Sequence, residues 1–225
     1  MIVLSIIFLL AQLSPLVLFI VFYKRINKII ELRVIFLYVL ISLISDFLLG
    51  VFKSNASLII SAFAICEYAF FSAFFFLCIQ NKKFKTLIVV ISALNLSIAL
   101  FLFYSQKINF DFWAALVTAI LIVIYSIFFF YEQVNSPQAL IIYQSYIFWI
   151  VVGCIIYLSG TLFLFLYTSD VKDRQNSSLW IINVAFEIVK NVCFSIAFII
   201  ARNDNRNIAT QNFNDTNIFE KPFWK

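Results

Sequence analysis

The sequence predicts an all-α polytopic membrane protein, a bundle of seven transmembrane helices, and three observations carry that expectation. Of 225 residues, 64% are apolar and only 12% are charged, about half the charge of a soluble domain, with a mean hydropathy of +1.03. The apolar residues fall into seven stretches, each long enough for the roughly 20 residues that cover a hydrocarbon core. These stretches are continuously apolar rather than alternating, which excludes a closed β-barrel, the other architecture that satisfies its backbone inside a bilayer.

The first span, Ile2 to Tyr23, is followed rather than preceded by its positive charges, Lys24, Arg25 and Lys28. It is therefore expected to stay as a membrane helix and not to be cleaved as a signal peptide. The second, Val34 to Phe52, carries Tyr38, Ser42 and Asp46 at intervals of four, on one helix face. The third, Leu58 to Ile79, has Glu67 near its middle with Tyr68 beside it, and a carboxyl at that depth needs a partner or a proton. The fourth, Thr86 to Tyr104, holds Asn95 mid-span, expected to hydrogen-bond to a neighbouring helix. The fifth, Phe112 to Tyr131, ends in Tyr131 and Glu132, read as interfacial.

The sixth span, Leu140 to Tyr167, places Tyr146, Trp149, Gly153, Tyr157 and Gly160 at spacings of three and four, followed by Thr161. With so few glycines in the chain, two on one face predict close helix approach. A sharper reading is a ligand pocket floored by Gly153 and Gly160 and walled by Tyr146, Trp149, Tyr157 and Trp180 of the next span. The seventh, Leu179 to Ala201, aligns Trp180, Asn183, Glu187, Lys190, Asn191 and Phe194 on one face. Residues 1–201 thus form the transmembrane domain, and 202–225, rich in Asn and Asp, are expected to be a disordered tail.

Lys and Arg set the expected orientation. Lys24, Arg25, Lys28, Arg33, Lys82, Lys83, Lys85, Arg202, Arg206, Lys221 and Lys225 fall on one side, and only Lys53, Lys107, Lys172 and Arg174 on the other. The richer side is expected to be cytoplasmic, with the N-terminus outside, in the cytoplasmic membrane. That asymmetry accounts for the net charge of +5 and leaves no support for a nucleic-acid partner. The bilayer itself is the first partner expected.

The chain contains no histidine, which excludes HExxH sites, histidine metal triads and Ser/His/Asp chemistry. Cys66, Cys78, Cys154 and Cys193 all lie inside spans without CxxC spacing and read as small buried hydrophobes. There is no GxxxxGK or GxGxxG turn, and no metal or other cofactor is expected. The phenylalanine runs, such as Phe74 to Phe76 and Phe128 to Phe130, read as lipid-facing or interhelical bulk.

What stands out is charge inside spans, where each ionised residue costs about 2.5 to 3.5 kcal/mol on insertion scales. Asn183, Glu187, Lys190 and Asn191 are expected to form one buried polar cluster, joined by Glu67 and Asp46 if Lys190 neutralises them. A purely structural clamp and a working site are both compatible with that spacing.

The acidic second span (Ser45, Asp46), Glu67 with its aromatic neighbour, the run Tyr157 to Phe165 and the segment WIINVAFEIVKNVCFSIAF together resemble a group of uncharacterised bacterial seven-helix membrane proteins. Some of these are encoded beside two-component sensor kinases, so the resemblance implies signalling and a kinase as membrane partner.

Three functions follow from these readings. A sensor or accessory subunit without a catalytic site of its own, responding to a lipid or hydrophobic ligand, is favoured. A small proton-coupled carrier using Glu67, Glu187 and Lys190 is the alternative, though no internal repeat supports it. An intramembrane lipid-acting enzyme using Asp46 and Glu67 as acid and base is the third. A retinal protein is disfavoured, because Phe186 stands four residues before Lys190 where the microbial pattern has Asp.

Overall fold

The computed structural model describes residues 2–52, 54, 56–104, 110–135, 143–167 and 179–218, which form seven helices and no strand among them. In order these are α1 (Ile2–Ile26), α2 (Ile30–Val51), α3 (Ala56–Cys78), α4 (Lys82–Tyr104), α5 (Phe110–Val134), α6 (Tyr146–Tyr167) and α7 (Leu179–Ile218). Each contains a segment long and apolar enough to cross a membrane, so this is a multi-pass helical bundle by length and composition.

Two helices differ from their expected bounds. α6 starts at Tyr146 rather than Leu140, because the Ser145 hydroxyl accepts the Ile147 amide at 3.3 Å and caps the first turn. Leu140 itself lies outside the described residues. The backbone of α7 continues beyond Ala201, where the expected span ends, to Ile218. Extending an established helix needs no new nucleus, so poor helix formers can follow good ones.

Backbone neighbours define the arrangement. α7 packs against α6 and α1, α1 against α2, α2 against α3, α3 against α5 and α5 against α6, closing a ring of six helices. α4 sits outside that ring, on α3 and α5. Accordingly only 6% of the α4 span is buried, against 44% of α3 and 50% of α7.

The ring is packed differently along its axis. Toward the end that carries Lys24, Arg25, Lys82 and Lys83, here the basic end, the interior is aromatic and aliphatic. Phe71, Phe74, Phe75, Tyr125, Phe129, Ile150, Val151 and Phe198 are buried there. Phe19 stacks on Phe36 at 4.2 Å between centroids and meets Phe198 edge-on at 5.6 Å, joining α1, α2 and α7. Of the phenylalanines read as bulk, Phe74 and Phe75 point inward while Phe76 faces out. Toward the opposite end the interior is polar, with Gln12, Ser42, Ser45, Ser61 and Glu67 buried.

α1 contains Pro15, which has no N–H for the Ala11 carbonyl. The Ser14 hydroxyl donates to that carbonyl at 2.8 Å and lies 2.7 Å from the Ser195 hydroxyl of α7. The break is thus satisfied within the fold, as a lipid-embedded helix requires, and it becomes a contact between α1 and α7.

At the basic end, the Glu132 carboxylate on α5 accepts the Gln80 amide at 3.0 Å and the Asn81 amide at 2.9 Å. Asn81 caps α4 through its side-chain oxygen, 2.9 Å from the Lys83 amide. From the interfacial position that the sequence predicts for it, Glu132 anchors the turn before the N-terminus of α4, where the helix dipole favours its negative charge.

Candidate functional site

The centre of the ring is occupied by side chains that reach across it. Lys190 on α7 is 1% exposed, and its ammonium donates to the Tyr38 hydroxyl of α2 at 2.9 Å. Tyr38 in turn donates to Glu67 Oε1 on α3 at 2.9 Å. Each hydroxyl has one proton and can accept as well as donate, so the chain Lys190 to Tyr38 to Glu67 has a defined direction.

The Tyr157 ring of α6 lies under the same ammonium, 3.9 Å from centroid to Nζ, a distance at which the ring face attracts a cation. Tyr157 also interacts electrostatically with Glu67. The Tyr38 ring is a second aromatic wall, 5.1 Å from Nζ. On α7 itself, Glu187 lies one turn back and its Oε1 is 3.6 Å from Nζ. A single lysine therefore connects α2, α3, α6 and α7.

Asp46, one turn beyond Ser42 on the same face of α2 as Tyr38, accepts Gln12 Nε2 of α1 at 2.5 Å. It interacts electrostatically with both Glu187 and Lys190, so it extends the cluster toward the polar end and brings in α1. Asp46 and Glu67 are held by different partners, Gln12 and Tyr38.

Asn191 is buried at 2% exposure, and its Nδ2 has no hydrogen-bond partner among the described residues; the same holds for Asn183 Oδ1. The Asn191 backbone carbonyl accepts the Ser195 hydroxyl at 2.9 Å, on the α1-facing side of α7. The six residues expected to form the cluster thus separate: Glu67, Glu187 and Lys190 meet directly or through Tyr38, Asp46 joins electrostatically, and the two asparagines keep unmatched polar atoms.

The face of α6 is filled by α7. A Cβ on Gly153 would lie 2.9 Å from Cys193 Cβ, and one on Gly160 would lie 2.2 Å from the Phe186 ring. These glycines permit the close α6–α7 approach expected of them, and Phe186 occupies the space over Gly160. The Trp149 indole donates to the Tyr143 carbonyl at 2.9 Å, two helical turns, about 12 Å, from Tyr157 along α6. Tyr146 packs against the core. The side chain of Trp180 lies outside the described residues.

A second polar node lies between α3, α4 and α5. The Tyr68 hydroxyl is 3.0 Å from that of Tyr125 and 3.2 Å from Ser92, which is itself 3.2 Å from Tyr125. Asn95 lines a cavity of about 20 Å³ beside it, with Tyr68 and Thr118, room for roughly one water. This node fastens the peripheral α4 to the ring.

Sequence reasoning placed Tyr38 on the correct face but missed its role as the link between Lys190 and Glu67. It also missed Gln12, although a lone glutamine inside an apolar span is itself a signal of an internal partner. No group of His, Cys, Asp and Glu among the described residues could hold a metal ion. The cysteines are free thiols, three of them buried. Compared with known proteins, the chain matches no family model, no curated protein and no solved structure.

Proposed function

We propose that this protein is a sensor or accessory subunit of a membrane signalling system, and that the Lys190 junction is its responsive element. The observation that supports this reading is the placement of one ammonium among groups from four helices. A shift of any of these helices changes which partner Lys190 holds, either Tyr38 with Glu67 or Glu187 with Asp46. Discrete alternatives of this kind let a small displacement become a change of state. The input is the state of the bilayer or a hydrophobic ligand, and the output passes through helix ends to a partner such as a sensor kinase. The basic end faces the cytoplasm in this reading, with the N-terminus outside and the body in the cytoplasmic membrane.

The experiment is purification of the tagged full chain in mild detergent with mass spectrometry of what accompanies it. Recovery of a membrane kinase, with its response abolished in Glu187→Gln/Lys190→Met but its binding retained, supports the proposal. A protein that purifies alone and whose double variant behaves as wild type in cells counts against it.

One observation favours a second reading, a proton-coupled carrier. Asp46, Glu67 and Glu187 share a single buried lysine, an acidic excess that exchangeable protons or a cation would balance. Proton-driven uptake by vesicles that disappears in Glu67→Gln would support it, and absence of proton movement in reconstituted wild type would dismiss it.

A further inference from the structure

At the basic end, the last turns of α1 and the α7 span form an open cavity of about 480 Å³, lined by Ile20, Val21, Phe22, Tyr23, Lys24, Arg25 and Arg202. Its chemistry changes with depth. Lys24 and Arg25 close α1 at the terminus where the helix dipole is negative, and Arg202 joins them from α7, its guanidinium 4.5 Å over the Phe22 ring. About one turn deeper, roughly 6 Å, Ile20 and Val21 turn outward, 65% and 66% exposed. Tyr23, 53% exposed, stands at the level where aromatic residues meet headgroups.

We infer that this groove is a binding site for one anionic phospholipid, its phosphate held by Lys24, Arg25 and Arg202 and an acyl chain lying on Ile20 and Val21. Charge complementarity selects an anion, because three cations and, among the described residues, no carboxylate line the groove. The apolar wall selects a lipid over a free anion: Ile20 and Val21 lie within the membrane-spanning part of α1 and would offer nothing to a phosphate ion in water. Clustered cations at a span end attract anionic lipid headgroups, each contributing appreciably near the surface. The volume falls within the range of sites that enclose small ligands, enough for a headgroup and the start of its chains. Because the groove joins α1 to α7, an occupied site ties together the two helices that also meet at Ser14 and Ser195.

The test reconstitutes the full chain in bilayers of phosphatidylglycerol and phosphatidylcholine in equal parts, releases it in mild detergent and counts retained lipids by native mass spectrometry. Wild type is expected to keep phosphatidylglycerol in preference to phosphatidylcholine, with retention falling about fivefold for each cation removed in Lys24→Gln/Arg25→Gln and in Arg202→Gln. Lys82→Gln/Lys83→Gln, which removes charge from the same end outside the groove, should leave retention unchanged. If Arg202→Gln fails to fold because Phe22 loses its partner, the exposed pair Lys24 and Arg25 decides the matter. Equal retention of the two lipids, or an equal loss in the Lys82/Lys83 control, overturns the site. Displacement of the lipid by millimolar inorganic phosphate also overturns it, by showing a plain anion site.

Discussion

Lys190 donates to the Tyr38 hydroxyl at 2.9 Å and is hydrogen-bonded to Glu67 only through it, since that hydroxyl in turn donates to the carboxylate at 2.9 Å. A phenol between a buried cation and a buried carboxylate separates the charges while hydrogen-bonding both. The arrangement avoids the geometric demands of a direct buried pair, whose desolvation can exceed its attraction, and it makes the hydroxyl indispensable to both ends.

Tyr38→Phe removes that hydroxyl and almost no volume. Two buried polar groups then each lose a partner, and the expected loss is about 2 to 6 kcal/mol of stability, from about 1 to 3 kcal/mol for each. Lys190→Met, which strands Glu187, should cost about 3 to 5 kcal/mol. Adding Glu187→Gln to Lys190→Met should recover part of that loss. Denaturant unfolding of the purified variants in a double-mutant cycle measures this coupling, and strictly additive losses would show that the two residues do not act together.

The glycines make opposite predictions. At Gly160 an alanine Cβ would fall 2.2 Å from the Phe186 ring, whereas at Gly50 nothing lies within 4 Å. Gly160→Ala should lower the melting temperature, by an overpacking cost of about 1 to 3 kcal/mol, and Phe186→Leu should relieve part of it. Gly50→Ala, in the last turn of α2, should be neutral or stabilising by up to about 1 kcal/mol. Scanning calorimetry or thermal fluorescence on the same preparation compares them.

Ser14 matters because of Pro15. In wild type, Ser14→Ala leaves the Ala11 carbonyl without a donor and ends the contact with Ser195, at an expected cost of about 1 kcal/mol. Pro15→Ala restores a backbone amide for Ala11. In that background Ser14→Ala should cost measurably less, and an unchanged cost would mean that the Ser195 contact alone carries the effect.

Glu132 predicts a local readout. Its two carboxylate oxygens accept the Gln80 and Asn81 amides, so Glu132→Ala should free both while leaving the ring intact. Hydrogen exchange at the α3–α4 turn is expected to quicken by about tenfold, the equivalent of about 1.4 kcal/mol, with little change at the centre of α3. Uniform quickening along α3 would instead mean that Glu132 supports the whole helix.

Seven helices were legible in the chain because the hydrocarbon length imposes about 20 apolar residues per crossing, and this holds regardless of neighbours. Helical spacing also placed Glu187 and Lys190 on one face and Tyr38, Ser42 and Asp46 on another, since an i to i+4 step is a local property. Pro15 with Ser14 beside it, and Gly153 with Gly160, were visible as local departures whose partners were not. Tertiary structure alone decided which faces meet: that Lys190 reaches Tyr38 across the ring, that Gln12 pairs with Asp46, that Tyr157 lies under the ammonium, and that Tyr68 turns away from the cluster toward Ser92 and Tyr125. In a bundle whose surfaces are almost uniformly apolar, hydropathy cannot distinguish one helix neighbour from another. The pairing rests instead on shape, on the two α6 glycines and on a few polar side chains that find partners only when all the helices are assembled.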